Sequence, residues 1–316
     1  MEFGVVLPTM PAGASPEGID AAAETAERLG WRTAWATDKV LPPRALAGTY
    51  SEIFEALVTL TFVAARHPTI RVGASVIIVA QRQAVVLARE LATLDALNGG
   101  RTIAGVGAGW DEREFANVGV ADRFRVRGAY LDETIRLWRH LWSGEGTPFE
   151  GRFFRFSDYL FGPLPVQGAG LPIVVGGESA AALRRAGALG DGYDGGSSSP
   201  ADFVARAPVI RAAAVAAGRP MPTLVGRVSV DLSRRKADGP GLSGTPREMA
   251  EGVTAYRAAG LGELAFAFGE TDPGRVAAAM ERFDREVLSI VRADPGRRED
   301  PDGTVGGGRP SGRVRG

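Results

Sequence analysis

The chain has no cysteine, which excludes disulfides, thiolate metal sites and cysteine nucleophiles and leaves the redox compartment open. Lysine is nearly absent too: Lys39 and Lys236 are the only two among 37 basic residues, while alanine and glycine are abundant. That bias points to GC-rich coding, not to a function. The two histidines, His67 and His140, lie far apart, and there is no H-E-x-x-H pattern, so no metal site is expected. Charge of one sign is also missing. The formal net charge is zero, which offers nothing to nucleic acid or to an anionic membrane. No apolar run reaches the ~18 residues of a membrane span. The start, MEFGVVLPTM, lacks the basic region of a signal peptide. Walker A and G-x-S-x-G motifs do not occur. A cytoplasmic protein acting on a small molecule is the expectation.

What is present is alternation. Residues 71–110 carry it most clearly, as RVGASVIIVAQRQAVVLARELATLDALNGGRTIAGVGAGW. A β-branched run over 72–79 precedes a helical pattern over 83–97, with Val86, Leu87, Leu91, Leu94 and Leu97 on one face. Asn98-Gly99-Gly100 then stops the helix, and a second apolar run over 102–106 ends in Gly105, Gly107 and Gly109. A strand, helix and strand in this order suit parallel pairing. The same rhythm continues on either side. Strands are predicted over 3–7, 33–37, 172–175, 192–196, 223–232 and 263–268. Helix starts are predicted at Ser15-Pro16, at about Ser51, at about Arg127, after Ser179, at Ser199-Pro200, at Thr245 with Glu248 as a capping box, and at Thr271-Asp272-Pro273.

Eight strands alternating with eight helices over roughly 290 residues fit a (β/α)8 barrel, whose usual size is about 250 with insertions allowed. A doubly wound sheet is the alternative, but Leu7-Pro8-Thr9 supplies no phosphate-binding glycine loop after the first strand. Residues 143–171 break the rhythm. They are aromatic and turn-rich, and are read as an insertion packing over one mouth, with aromatics that serve as core. The barrel domain is read as 1–292 and the Gly/Pro/Arg/Asp-rich stretch 293–316 as a disordered tail.

In a barrel the chemistry sits at the C-terminal strand ends. Gly176-Gly177-Glu178-Ser179 is a candidate anion site there, because the glycines admit close backbone approach and the next helix offers free N–H groups. A plain strand-to-helix turn capped by Ser179 is the alternative. Asp38-Lys39 places an acid and an amine at another strand end, for proton transfer or anion binding, or as a simple ion pair. The spacing at Gly105, Gly107 and Gly109 is not a dinucleotide fingerprint, but it leaves room for a flat ring against the backbone. Residues 40–50, 110–122, 143–171 and 232–245 are read as the pocket loops.

The segments GASVIIVAQRQAVVLARELATLDALNGGRTIAGVGAGW, PIVVGGESAAALRRAGALGDGYDGG and GTPREMAEGVTAYRAAGLGELAF together resemble the bacterial-luciferase-like superfamily, and within it the coenzyme F420-dependent oxidoreductases. The resemblance implies a TIM barrel with an insertion, a deazaflavin at its C-terminal mouth, and a homodimer. It implies a non-proline cis peptide behind the ring, at Ser75–Val76, with Gly107 nearby. The phosphate site would be Gly176, Gly177, Glu178 and Ser179, and Asp38 the polar residue at the second strand end. Several sugar- or alcohol-oxidising members carry histidine after that aspartate. Here the position is Lys39, so Asp38, Lys39 and Trp110 are the catalytic candidates, with Trp110 a pocket wall.

The function expected is hydride transfer between F420 and a small organic substrate. One alternative is an FMN-dependent monooxygenase supplied by a separate cofactor reductase, with Arg184 or Arg185 on the phosphate. Another is a non-catalytic flavin-binding barrel.

Overall fold

A computed structural model describes residues 1–10, 13–233, 235 and 241–293. The first elements are β1 (Glu2–Val6), α1 (Pro16–Arg28), β2 (Thr33–Ala36), the short α2 (Ala47–Tyr50), α3 (Ala56–Arg66), β3 (Arg71–Ala74) and β4 (Ile77–Ile78). Next come α4 (Ala84–Asn98), β5 (Thr102–Gly107), α5 (Glu112–Asn117), α6 (Arg127–Ser143) and the pair β6 (Phe149–Glu150) and β7 (Arg155–Phe156). The alternation then resumes with β8 (Ile173–Gly176), α7 (Ala180–Leu189), β9 (Gly192–Asp194), α8 (Pro200–Ala216) and β10 (Thr223–Ser229). The last elements are α9 (Pro246–Ala258), β11 (Glu263–Ala267), α10 (Pro273–Phe283) and α11 (Ser289–Ala293), with a π-helical turn joining the final two helices.

The strands pair in the order β3-β2-β1-β11-β10-β9-β8-β5-β4, all parallel, and β5 pairs back onto β3. β3 and β4 are one strand interrupted at Ser75–Val76, so eight strands close a (β/α)8 barrel, as the alternation predicts.

Local signals set most helix ends. The side chain of Ser15 caps α1 through the Gly18 N–H, Thr245 and Glu248 form the expected capping box, and left-handed Gly99 ends α4. Three helical stretches differ from expectation, one of them α5, which lies within 110–122, read as loop. Residues 51–55 are not helical; Glu55 caps a helix that begins at Ala56. Within the stretch read as loop, 44–50 winds into short helical turns.

The barrel interior is layered. Glu263 and Thr33, at the N-terminal strand ends, hold the bottom, where Glu263 accepts from Trp35 Nε1 (2.6 Å) and Thr33 Oγ1 (3.1 Å). Above them Trp35, Ile103, Val174, Val225 and Ala265 form a buried cluster. The Trp35 indole lies against Gly73: a Cβ there would sit 2.7 Å from Cζ3.

The insertion contains an antiparallel hairpin, β6–β7, and no residue of 143–171 lines the cleft at the C-terminal strand ends. The Glu133 carboxylate on α6 accepts from the N–H groups of Arg152, Phe153 and Phe154, which ties the hairpin to that helix. Farther on, the Gln167 amide donates to Asp95 and to the Thr102 carbonyl at the N-terminal end of β5. The insertion thus runs down the outside of α6, away from the C-terminal strand ends. Its aromatic residues pack on the main core, as expected. Of the tail read as disordered, Ala293 ends α11, and 294–316 lie outside the described residues.

Candidate functional site

The C-terminal strand ends surround a cleft of about 600 Å³. Most of the residues singled out from the sequence come to it: Asp38, Lys39, Ser75, Val76, Gly107, Trp110 and Gly176 to Ser179. Their surroundings differ from what strand-end position alone suggests.

Asp38 presents no free carboxylate. Its side chain is wholly buried and accepts both Arg82 guanidinium nitrogens (2.7 Å each) and the Ile78 N–H (3.0 Å). Burial raises its pKa above the ordinary carboxylate value, against the lowering pull of Arg82 and of the Ile78 N–H. Arg82 continues outward to Glu55 (3.0 Å). This chain of contacts clamps the turn after β4 to the end of β2. It does not aim an acid at a ligand.

Lys39 lines the cleft but is itself buried. Its Nζ is 2.7 Å from Glu114 Oε2 and 4.6 Å from the centre of the Trp110 ring, with Tyr50 at 5.6 Å on another side. The other oxygen of Glu114 accepts the Val40 N–H (3.0 Å). Trp110 is 60% exposed, as befits a rim wall.

The Ser75–Val76 peptide is cis. The Ser75 hydroxyl donates to Asp194 across the mouth, and Asp194 also accepts the Gly196 N–H (2.7 Å). Gly107 and Gly109 line the cleft with their backbone, while the Cβ positions of Gly105, Gly107 and Gly109 face the chain itself. The site of a Cβ on Gly105 is occupied by the Ala74 carbonyl, that on Gly107 by Val76, and that on Gly109 by Ile78 and Phe115. Val76 also fills the space beside Gly176. These glycines let the interrupted strand press onto β5 and β8, so Val76 itself forms the wall.

The turn after β8 has an anion cradle's components. Gly177 has φ +122°, a conformation natural to glycine, and the Ser179 hydroxyl caps α7 through the Ala182 N–H (3.2 Å). Two cations line the same side. Arg185 pairs with Asp132 and donates to the Gly128 carbonyl (3.2 Å). Arg127 donates to the carbonyls of Gly109 (3.0 Å) and Phe124 (2.6 Å). Glu178 points outward, 3.7 Å from Arg206. Arg184 is exposed and does not line the cleft.

Thr37, Arg127, Asp194 and Arg227 also line the cleft and were not singled out from the sequence. Alternation within LVGRVSV finds Arg227, since it shares the inward face of Val225. Arg127 carries no comparable local signal. Of the predicted pocket loops, Tyr50 and Trp110 reach the lining, and 143–171 contributes nothing to it. Among the described residues, no cluster of three or more His, Asp or Glu could hold a metal ion, and no helix is long and apolar enough to cross a membrane.

A closed parallel barrel with polar side chains, a glycine turn and a capped helix at its C-terminal mouth defines a TIM-barrel ligand site. The luciferase-like monooxygenase family profile matches residues 1–237, and the chain belongs to that family. The F420-dependent glucose-6-phosphate dehydrogenase of Kineococcus radiotolerans is 33% identical over 212 residues, 66% of this chain and 61% of that protein. The FMNH(2)-dependent dimethylsulfone monooxygenase of Pseudomonas putida is 35% identical over 136 residues, 42% of this chain and 36% of that one. The chain thus spans less than two thirds of the length of these relatives. Among solved structures, the coenzyme F420-dependent tetrahydromethanopterin reductase of Methanopyrus kandleri superposes with a TM-score of 0.77 at 18% identity, over 92% of this chain and 99% of that one. The monooxygenase RslO1 of Streptomyces bottropensis gives 0.74 at 22%, with the same coverage. At these identities the structural likeness shows the fold.

Proposed function

We propose that the protein is an oxidoreductase that holds coenzyme F420 in the barrel mouth and moves a hydride between it and a small organic substrate. The observation that carries this reading is the cleft itself. It joins an anion cradle at Gly176–Ser179 to a polar floor and to Trp110 at the rim with Lys39 beneath it. The residues present fit such a cofactor: the cradle suits a phosphate, and Val76 offers an apolar wall for a ring.

When bound, the cofactor supplies a carbon that accepts or donates hydride. The chain supplies the rest. Ser179 keeps the first turn of α7 in place, so that its N–H groups face the phosphate. Ser75, held by Asp194, fixes the wall. Lys39 Nζ, oriented by Glu114 and the Trp110 ring, holds and returns the proton that accompanies the hydride at the substrate oxygen. Asp38 acts through Arg82 as a positioning residue.

An FMN-dependent monooxygenase served by a separate reductase is the second reading. Arg127 and Arg185 beside the cradle favour it, because a phosphomonoester carries more charge than a phosphodiester. We also propose a homodimer, as the resemblance implies. Dependence on a shared pool of reduced cofactor fits the cytoplasm.

The test is fluorescence titration of the purified protein with F420 and, separately, with FMN. Micromolar binding of F420 with anaerobic hydride exchange is the expected result. Tight binding of FMN alone moves the reading to oxygen chemistry, and binding of neither overturns both.

A further inference from the structure

We propose that Arg227 is the docking point for an anionic oxygen group of the substrate, and that the substrate is therefore an organic acid whose carboxylate seats on the floor of the mouth. This rests on reading the mouth as a shared cofactor and substrate cleft.

Arg227 lies on β10 on the inward face, two residues beyond Val225 of the interior cluster, so its guanidinium forms the next layer up. It lines the cleft together with Thr37, Ser75 and Asp194. Its side chain makes one long hydrogen bond, from Nη1 to Thr37 Oγ1 at 3.4 Å, and its Nε is buried without a partner. Among the described residues, no carboxylate lies within ion-pair distance of it.

Asp194, which shares the floor, is occupied at both oxygens. One accepts the Ser75 hydroxyl and the other the Gly196 N–H. The other cations of the lining have their hydrogen-bonding groups engaged, although Arg127 has no carboxylate partner among the described residues. Lys39 has Glu114, Arg185 has Asp132, and Arg127 has two carbonyls and the Phe124 ring 4.0 Å beneath it. Arg227 is therefore the under-satisfied cation of the site. The half-buried guanidinium has a buried Nε with no acceptor, and its planar fork matches a carboxylate's two oxygens. Thr37 stands beside it as a further donor. Lys39 follows two residues later on the same segment, which sets the anion-binding floor and the proton-holding amine on one strand end.

The experiment uses the cofactor-free full chain. Benzoate and phenylacetate, each against its neutral amide, are titrated by calorimetry into the parent, Arg227→Met and Arg227→Lys proteins. F420 titration and thermal melting are run on the same samples. The parent is expected to prefer each carboxylate by about tenfold or more, the scale of one charge-assisted hydrogen bond. Arg227→Met should abolish the preference and Arg227→Lys should keep part of it. If Arg227→Met does not fold, Arg227→Gln carries the same comparison.

A parent that shows no carboxylate preference, including one that binds none of the four probes, overturns the proposal. So does a preference that survives Arg227→Met. If the variant instead loses F420 binding while carboxylates are indifferent, the arginine serves the cofactor and the proposal fails. A parent that prefers carboxylates through Arg227 but binds no F420 upholds the acid site and sinks the cofactor reading.

Discussion

Lys39 and Glu114 meet at 2.7 Å with almost no solvent access, their side chains 4% and 0% exposed. Two charges so buried are stable together, and each is costly alone. Glu114→Gln is expected to destabilise the protein by about 3–5 kcal/mol, as is Lys39→Met, because each leaves an uncompensated charge. The double variant should recover much of the loss. Denaturant unfolding of the four proteins measures the coupling. Additive losses would show that the pair is not a unit.

The cradle makes a prediction about binding. Gly177→Val forces a β-branched residue to φ +122° and places its Cβ 3.0 Å from Ala182. F420 affinity should fall by about tenfold or more, the loss of a hydrogen bond to a charged group. Ser179→Ala should lower stability by about 1 kcal/mol through loss of the α7 cap. Fluorescence titration and thermal melting separate the two effects. Unchanged affinity in Gly177→Val would move the anion site elsewhere.

Gly73→Ala tests the interior layer. The new Cβ would meet Trp35 Cζ3 at 2.7 Å inside a closed barrel, and overpacking of this kind costs about 1–3 kcal/mol. Gly48→Ala is the control. It has nothing within 4 Å and lies in the short helix α2, so it should be neutral or stabilising by up to about 1 kcal/mol. Equal effects in the two variants would refute the close contact.

Glu263 sets a pH dependence. Burial raises its pKa above the ordinary 4.5, although Trp35, Arg71 and Thr33 act in the opposite direction. The folded state therefore holds this proton more readily than the unfolded state. The contribution is fully present below the unfolded value and is lost as pH rises through the folded one. Glu263→Gln removes the loss and keeps both contacts, its oxygen accepting from Trp35 and its amide donating to Thr33. The variant should melt higher than the parent at pH 7, and the gap should close as pH falls below about 4.5. A gap that widens in acid would reverse the assignment.

How much of this was legible in the sequence follows from the range of each interaction. The eight-fold alternation, the caps at Ser15, Ser199 and Thr245 and the stop at Gly99 all depend on residues within one turn of each other. Strand-end position likewise brings Asp38, Lys39, Trp110 and the Gly176–Ser179 turn to one cleft, since a parallel barrel puts every C-terminal strand end on one face.

Which of those residues is free to meet a ligand was decided by contacts that exist only after the barrel closes. Asp38 is occupied by Arg82, 44 residues on, and Lys39 by Glu114, 75 residues on. The space over Gly105 and Gly107 is taken by the chain's own Ala74 and Val76, because the interrupted strand presses there. Arg227 stands out only once every other cation of the lining has been seen to have its hydrogen-bond acceptors. Periodicity and capping are local and are written in the sequence; the pairing of buried charges and the filling of space are three-dimensional, and the tertiary structure alone decided them.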